Sequence, residues 1–447
     1  MLPLTSQGQD GAQAAPTSAV EAEEPRRDPL PEPFTLDDAV ALGVDGHPSV
    51  RQAEAGIGAA EASRLEADAL NGFEASVFGR LRYVDPSPVA ANQTNNDSSF
   101  GVRASKRLYD FGRGAAETEA AEAQLQGAML AVGAARDRQT LEVLRRYFDV
   151  IEADLAFNVA NEGMSIAFVT ADKLKDRQEL GQVSDIDVLE ADARFQDWRV
   201  RVRKAETRQR ATRALLAAAY NRPLDLASTV VPAELVGNDR ELEEFDVLLS
   251  RTLRSSPELT ALNARVEAAE ARVRAAEAED SPVLRAEFDA TEYNRDFSGR
   301  DQWGAALVLE VPLFTGGRAK AKAARRGAEL LELEARRDAL ILDLRQRLLE
   351  AWLRVDTARA EVERAVVQLD FRDLYLDRSR ALYALEVRSD LGDSMTRWSE
   401  AKLDQAQARH ALAMAFAHLD ALTGDPIVER LQGRGTPQTP EPEEASQ

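Results

Sequence analysis

LYDFGR, residues 108–113, is the stretch at which two segments of different hydrophobic period meet. Before it, Phe100, Val102 and Ala104 alternate with small or polar residues, a period of two that is typical of a strand with one apolar face. After it, the chain has no proline until Pro223 and is rich in Ala, Glu, Arg and Leu, which predicts a long helix. Gly112 supplies the backbone freedom that a change of direction needs. LYDFGR is therefore predicted to be a strand-to-helix junction.

The junction occurs a second time, because the alternating segment 303–311 runs into VPLFTGGR at 311–318 and a second long helical run follows. Each junction is preceded by a further alternating segment (75–83 and 284–291) and by a helical segment broken at a proline, at His47-Pro48 and at Ser256-Pro257. We therefore expect two structural repeats, 34–240 and 241–430, each made of helix, two strands, long helix and return helix. The polar connections between the two strands of each repeat, 85–97 and 294–301, are expected to be exposed hairpin loops. The leader 1–33 and the tail 431–447, rich in Pro and polar residues, are expected to be disordered.

Each long helix is predicted to end at a turn and to run back as a return helix. The first, from about residue 114 to 179, would form a rod of about 100 Å at ~1.5 Å per residue, longer than an ordinary globular domain needs. In LGQVSDIDVLEA, residues 180–191, Gly181 is the expected helix stop and Ser184 the expected cap of the return helix. The corresponding turn in the second repeat lies at 386–396.

Composition argues against several classes of function. The 447 residues carry a formal net charge of -21, which argues against nucleic acid as a partner because phosphate binding needs clustered Lys and Arg. There are no cysteines, and the three histidines are scattered, so we expect no disulfide and no metal site. No catalytic or phosphate-binding motif is present, and we expect no enzyme activity and no cofactor. The sequence has no run of 18 apolar residues, so no transmembrane helix is predicted.

The order of the elements resembles the TolC family of outer-membrane channel proteins over residues 34–430. The motifs that carry the resemblance are LYDFGR at 108–113, VPLFTGGR at 311–318 and LGQVSDIDVLEA at 180–191. The resemblance implies a mainly α-helical protein with membrane β structure. It would be a homotrimer in which each protomer gives four strands to one shared 12-stranded transmembrane β-barrel and its long helices to an α-helical barrel.

The same resemblance implies a location and a set of partners. The protein would lie in the outer membrane of a Gram-negative bacterium, with a long periplasmic extension, and would act as the passive exit duct of a tripartite efflux or type I secretion system. Its partners would be a periplasmic adaptor (membrane fusion protein) and an inner-membrane pump of the ABC or RND type. LYDFGR is closer to the branch of the family that serves type I secretion than to the lipid-anchored multidrug branch.

The strands give a separate argument for association. Four strands cannot enclose a lumen alone, and open edges in lipid leave backbone groups unpaired. We expect the apolar rows 75, 77, 81, 83 and 303, 305, 307, 309 to face lipid and the charged opposite rows to face water. Two alternatives remain open: an ordinary half-buried sheet, and a soluble or periplasmic coiled-coil scaffold or adaptor protein.

By the resemblance, acidic residues near the return turns narrow the pore and favour cations, because a ring of carboxylates repels anions. The matching acids in this sequence are Asp187, Glu190, Asp390 and Asp393. Thr396 stands where the family has a second acid, and the alternative role for all of these acids is helix capping.

Two further groups of residues match the family pattern. The tip at which an adaptor would dock contains Gly181, Val183, Ser184 and Leu189. The turns between strands and long helices, expected to be structural, contain Asp110, Gly112, Arg113, Gly316, Gly317 and Arg318.

Overall fold

The computed structural model describes residues 29–295, 300–385 and 390–434. The first half contains α1 (Leu36–Val44), α2 (Pro48–Ala69), β1 (Phe73–Arg80), β2 (Ser99–Tyr109), α3 (Arg113–Glu179) and α4 (Asp185–Ala219). The second half contains α5 (Phe245–Ser255), α6 (Pro257–Glu277), β3 (Val283–Tyr293), β4 (Trp303–Glu310), α7 (Arg318–Ala384), α8 (Leu391–Thr423) and the short α9 (Ile427–Leu431). Up to the return helix, the two halves have the same elements in the same order.

Residues 1–28 and 435–447, which make up most of the predicted leader and tail, lie outside the described residues. The predicted start of the tail is wrong, because Leu431 ends α9 and is only 2% exposed. Ile427 and Leu431 lie one helical turn apart and pack into the same core. Beyond them, Arg434 Nη2 lies 3.3 Å from Asp37 Oδ2 on α1.

The short helices begin where their capping residues predict. Thr35 Oγ1 accepts a hydrogen bond from Asp38 N at 3.2 Å, and Asp38 Oδ2 accepts one from Thr35 N at 3.0 Å, which completes a capping box at the start of α1. Pro48 and Pro257 occupy the first turn of α2 and α6, where the missing N–H leaves no helical bond unmade. The predicted breaks before both prolines are present.

The two long helices, α3 and α7, have 67 residues each, about 100 Å of rod. α3 packs along α2 and α6 towards one end and along α4 and α8 towards the other, while α7 packs along α6 and α8. The main core lies near the middle of the rods, where Tyr147, Phe148 and Leu216 are buried with Phe34 of the N-terminal segment. None of the described helices combines the length and the apolar character needed to cross a membrane.

The four strands form one antiparallel sheet in the order β1-β2-β3-β4, so that β2 and β3 join the two repeats. Val77 pairs with Val102, Val102 with Ala290, and Ala290 with Trp303. Residues paired directly across an antiparallel sheet share a face, so the apolar rows predicted for the separate strands fall on one face of the whole sheet.

The ends of the strands correct two predicted details. β1 ends at Arg80, but the first hairpin stays paired beyond it, through Asp97 N to Arg82 O at 2.8 Å and Val84 N to Asn95 O at 2.9 Å. Asp97, predicted to end an exposed loop, is therefore part of the ladder and only 6% exposed. The second predicted loop, 294–301, includes residues 296–299, which lie outside the described residues.

Candidate functional site

The most unusual surface of the protomer is the apolar face of its sheet. Large side chains on this face are between 40% and 71% exposed although they are aromatic or aliphatic. They are Phe73, Val77, Phe100, Val102, Phe288, Trp303, Leu307 and Leu309. An exposed apolar patch that extends across four strands is not stable in water and indicates a surface that meets lipid or another apolar partner.

The opposite face of the same sheet carries charged side chains. Ser76, Arg103 and Asp289 lie next to one another in a single cross-strand row. Towards the helices, Arg285 Nη1 lies 3.3 Å from Glu310 Oε2. Since charged side chains are strongly disfavoured against lipid, this face requires water while the other requires an apolar environment.

β1 and β4 form the two edges of the sheet within the protomer. An edge strand presents a row of backbone N–H and C=O groups that need partners wherever water is excluded. The sheet therefore demands pairing at both edges if its apolar face lies in lipid. β1 of one protomer and β4 of the next are the strands that can provide it.

The first junction positions α3 beneath the sheet. Phe111 and Gly112 both adopt left-handed backbone conformations, with φ of 57° and 89°. Asp110 Oδ2 accepts hydrogen bonds from Gly114 N at 2.8 Å and from Arg107 Nη1 at 3.1 Å, so its carboxylate caps the start of α3. These hydrogen bonds hold the turn against the first residues of α3, and the structural role stays a prediction.

The second junction has the same backbone. Gly316 and Gly317 have φ of 63° and 81°, and Arg318 N donates to Thr315 O at 3.2 Å, as Arg113 N donates to Asp110 O at 3.3 Å in the first repeat. The two long helices therefore leave the sheet through the same turn. The first repeat uses a phenylalanine at one left-handed position, where the second uses glycine.

Glu279, which the sequence analysis did not select, connects the two junctions. Its Oε2 lies 3.0 Å from Arg113 Nη2 of the first repeat and 2.9 Å from Lys322 Nζ of the second. The hydrogen bond from Lys322 and the positive charges nearby lower the pKa of Glu279. Its neighbour Asp280 is equally acidic, and nothing local in the sequence marks one of the two as the shared partner.

At the far end of α3, the predicted turn is present in detail. Gly181 has φ of 68°, and Gln182 N donates to Arg177 O at 2.9 Å, which ends the helix. Ser184 Oγ accepts from Asp187 N at 3.3 Å, and Asp187 Oδ2 accepts from Ser184 N at 3.0 Å. Ser184 Oγ also donates to Asp187 Oδ2 at 2.7 Å, and this hydrogen bond, together with the one from Ser184 N, lowers the pKa of Asp187. The Asp187 carboxylate therefore caps α4, which was the alternative role for the acids.

The four predicted acids come together along one groove beside α3. The groove is lined by Asp187 and Glu190 of the first repeat and by Asp390 and Asp393 of the second. At its floor, α8 approaches α3 closely: a Cβ added at Gly392 would lie 2.5 Å from Ile166 Cγ2.

The acids of the groove differ in how they are held. Asp393 Oδ2 lies 2.8 Å from Arg397 Nε, and its side chain remains 69% exposed. Asp390 Oδ2 accepts a hydrogen bond from Tyr375 Oη at 3.2 Å. Thr396 is 7% exposed and donates to Gly392 O at 3.2 Å, so an acid at this position would be buried rather than presented to a pore.

The predicted docking tip exposes apolar side chains. Leu189 is 68% exposed, and two residues that the sequence analysis did not select, Leu180 and Ile186, are 71% and 75% exposed. Val183 lines the acidic groove instead. The signal that would have identified the additional residues is their position: Leu180 comes directly before Gly181 of the turn, and Ile186 lies three residues, about one helical turn, before Leu189.

Comparison with known proteins bears on both repeats. A family model described as outer membrane efflux protein matches residues 248–425. Protein CyaE of Bordetella pertussis is 30% identical over 264 residues, and the match covers 58% of this chain and 55% of CyaE, so the chain spans about half the length of this relative. A membrane protein from Pseudomonas aeruginosa superposes with a TM-score of 0.72 at 19% identity, over 90% of this chain and 92% of that one. The CmeC outer membrane channel of Campylobacter jejuni superposes with a TM-score of 0.73 at 14% identity, over 95% and 94%.

The family model covers the second repeat, and the solved structures cover both repeats with the same arrangement of sheet and long helices. The predicted resemblance to the TolC family is thereby confirmed. Residues 248–425 match the outer membrane efflux protein family, and the chain as a whole has the fold of the solved outer-membrane channel.

Proposed function

We propose that three copies of this chain form a channel in the outer membrane, which acts as the passive exit duct of a tripartite efflux or type I secretion system. The observation that carries the proposal is the sheet: one apolar face, one charged face, and two edges formed by β1 and β4. In the trimer, β4 of each protomer pairs with β1 of the next, and twelve strands close around a water-filled lumen. The apolar face then meets lipid and the charged face meets water.

The long helices support a duct rather than a simple pore. α3 begins at Arg113, shortly after β2 ends at Tyr109, and α7 begins at Arg318 after the segment that follows Glu310 of β4. Two left-handed residues come directly before or near the start of each helix, and the rods extend the lumen away from the membrane by about 100 Å. A passage of that length bridges the space towards an inner membrane. The energy for transport would come from an inner-membrane pump, joined to the channel by a periplasmic adaptor.

The tip of the rods is the surface proposed for the adaptor. Exposed Leu180, Ile186 and Leu189 surround the turn between α3 and α4. A few exposed aliphatic anchors beside a charged groove are the features on which transient protein interfaces are built. Of the groove acids, Asp393, Asp390 and Glu190 are proposed to narrow the entrance and to favour cations, while Asp187 caps α4.

The alternative, a soluble coiled-coil scaffold, fits the helices but not the sheet. A scaffold would hold eight large apolar side chains of one sheet face in water at 40% to 71% exposure. A partner protein that covered this face would have to pair both edges of the sheet as well. A closed ring of identical sheets meets both requirements with one chain.

Pairing between subunits can be tested by engineered disulfides, because the chain has no cysteine of its own. Ser76→Cys in β1 is combined with Gly304→Cys or Ala306→Cys in β4, all on the charged face. Within one protomer, β1 and β4 are three strand spacings apart, about 14 Å, too far for a disulfide. Oxidation in isolated outer membranes should therefore give covalent dimers and trimers on denaturing gels.

Ser105→Cys in the interior strand β2, combined with Ala306→Cys, is the matched control and should give monomers only. If the β1 and β4 pairs also give only monomers, and the protein fractionates with soluble material, the proposal is wrong. Purified trimers should in addition conduct ions in planar bilayers.

A further inference from the structure

A lysine interrupts the apolar face of the sheet. Along β2 this face is formed by Val102 and Ala104, and the next position in the period of two is Lys106. Lys106 pairs with Phe73 of β1 on one side and with Ala286 of β3 on the other, so it stands in a row of apolar residues. A charged side chain on a face that otherwise requires an apolar environment needs a physical reason.

The charge of Lys106 is not balanced on its own face. Among the residues that the structure describes, no carboxylate forms an ion pair with this exposed lysine. The acids of the adjacent positions, Glu74 on β1 and Glu287 on β3, share a row on the opposite, charged face. Glu292 does lie on the apolar face, but six residues along β3 from the row of Lys106, about 20 Å away. β4 gives only apolar residues to this face, so a neighbouring copy whose β4 pairs with β1 brings no carboxylate either.

Lys106 lies close to the end of the sheet at which the long helices begin. Three residues further along the chain, Tyr109 ends β2, and its ring lies 4.8 Å, centroid to centroid, from that of Phe111. Both rings are more than half exposed, and exposed aromatic rings at the strand ends are typical of the boundary between lipid and water. Lys106 is at most about 10 Å from Tyr109 along the strand. From that depth a lysine can lay its carbon stem on apolar surface and extend its ammonium group to the level of the lipid headgroups.

A groove leads from Lys106 across the apolar face. It has a volume of about 380 Å³ and is lined on this face, besides Lys106, by six apolar residues: Phe73, Ala104, Ala286, Phe288, Ala305 and Leu307. The three alanines form its low floor between the larger aromatic and aliphatic side chains. Ala104, Phe288 and Ala305 belong to the row next to that of Lys106 on the side of the loops. The groove therefore runs from the membrane boundary towards the middle of the membrane.

We propose that Lys106 and this groove bind one anionic phospholipid of the leaflet nearer the helices, with the headgroup phosphate at the ammonium group of Lys106 and one acyl chain in the groove. The inference rests on the proposed function, because only a sheet that lies in a membrane meets lipid on this face. An ammonium group next to lipid is costly unless an anion accompanies it, and the phosphate of a headgroup is the anion that the boundary supplies. A lipid without net charge brings a cation of its own to its phosphate, so it satisfies Lys106 less well. Each protomer of the trimer carries one such site on its outer surface.

Native mass spectrometry of the full-length trimer, released from detergent micelles, tests this site. The trimer is incubated with equal amounts of phosphatidylglycerol, which has a net negative charge, and of phosphatidylethanolamine with the same acyl chains, which has none. The native trimer should bind phosphatidylglycerol, one molecule per protomer, roughly fivefold more tightly than phosphatidylethanolamine, the factor that one lysine near an anionic lipid surface contributes. Lys106→Gln should bind the two lipids equally, whereas Lys106→Arg should keep the preference.

Arg103→Gln is the matched control for the headgroup. It removes one positive charge from the same strand, but on the charged face, where Arg103 pairs with Asp289. The preference for phosphatidylglycerol should stay unchanged in this variant. Ala286→Leu is the variant for the acyl chain, because a larger side chain fills the floor of the groove. It should weaken the binding of both lipids by a similar factor and leave the preference between them intact.

The outcomes separate the lipid site from the channel function. A native trimer that binds both lipids equally, or a preference that falls as much in Arg103→Gln as in Lys106→Gln, would overturn the site. If the same trimers conduct ions in planar bilayers, the channel function stands without it. Unchanged binding of both lipids in Ala286→Leu would overturn the assignment of an acyl chain to the groove. A preparation that forms neither trimers nor channels would refute the proposed function and this inference with it.

Discussion

Replacing Gly163 by alanine should loosen the packing of α3 against α4, because the ring of Trp198 lies directly on this glycine. A Cβ added at Gly163 would lie 2.5 Å from Cη2 and Cζ3 of Trp198 and 2.7 Å from Cε3. Real Cβ atoms do not approach neighbours so closely, so the ring has to move. On α4 itself, the guanidinium of Arg201 stacks 4.5 Å from the centroid of the same ring, and a shift of the ring would disturb that contact too.

The size of the effect follows from two opposing terms. Alanine is favoured over glycine inside a helix by about 1 kcal/mol. Forcing an extra methyl group into a closed contact costs about 1–3 kcal/mol. Gly133→Ala on α3 and Gly327→Ala on α7 are matched controls, because nothing in the protomer lies within 4 Å of a Cβ at either position. The difference between Gly163→Ala and a control removes the helix preference of alanine. What remains is the cost of overpacking, about 1–3 kcal/mol, which raises the equilibrium constant for local unfolding of this region by a factor of roughly 5 to 150.

Hydrogen exchange measured by mass spectrometry on the full-length protein resolves this local effect. Peptides around Gly163 and Trp198 should exchange faster in Gly163→Ala than in either control, while peptides of the sheet stay unchanged. In a Trp198→Ala background the clash is absent. Gly163→Ala should there slow exchange, because only the helix preference of alanine over glycine remains. Equal exchange in Gly163→Ala and Gly133→Ala would refute the close contact.

Three further predictions concern the tip and the junctions. Asp393→Ala should weaken block of the channel by multivalent cations in single-channel recordings. Asp187→Ala should leave this block unchanged and should speed hydrogen exchange around the tip. An unchanged block in Asp393→Ala would remove Asp393 from the constriction. Hydrogen bonds from Ser184 lower the pKa of Asp187 below its ordinary value of 3.8. The stability given by this cap is therefore present above about pH 4 and is lost as the pH falls through the lowered pKa. Hydrogen exchange at the start of α4 should accelerate over that range in the native protein and not in Ser184→Ala. Gly112→Ala and Gly317→Ala should each destabilise the protein by about 1–2 kcal/mol, since both glycines have left-handed backbones with no neighbour to clash; thermal unfolding no different from that of the native trimer would contradict this.

The sequence predicted those features that depend on local periodicity. A strand alternates with period two, so the face of Val77, Val102 and Trp303 was visible before their pairing was known. Helix stops and caps are equally local, which is why Gly181 and Ser184 were predicted at their observed positions. The shared backbone of the two junctions followed from the similarity of LYDFGR and LFTGGR.

Contacts between distant segments were not predictable in this way. Asp97 and Glu279 are single acids in an acidic chain, and only the fold shows that each is shared between basic residues far apart in sequence. The prediction for Asp187 named both a pore acid and a helix cap, because an acid three residues after a serine satisfies both patterns. Its hydrogen bonds favour the cap, while Asp393, 69% exposed, stays the predicted pore acid.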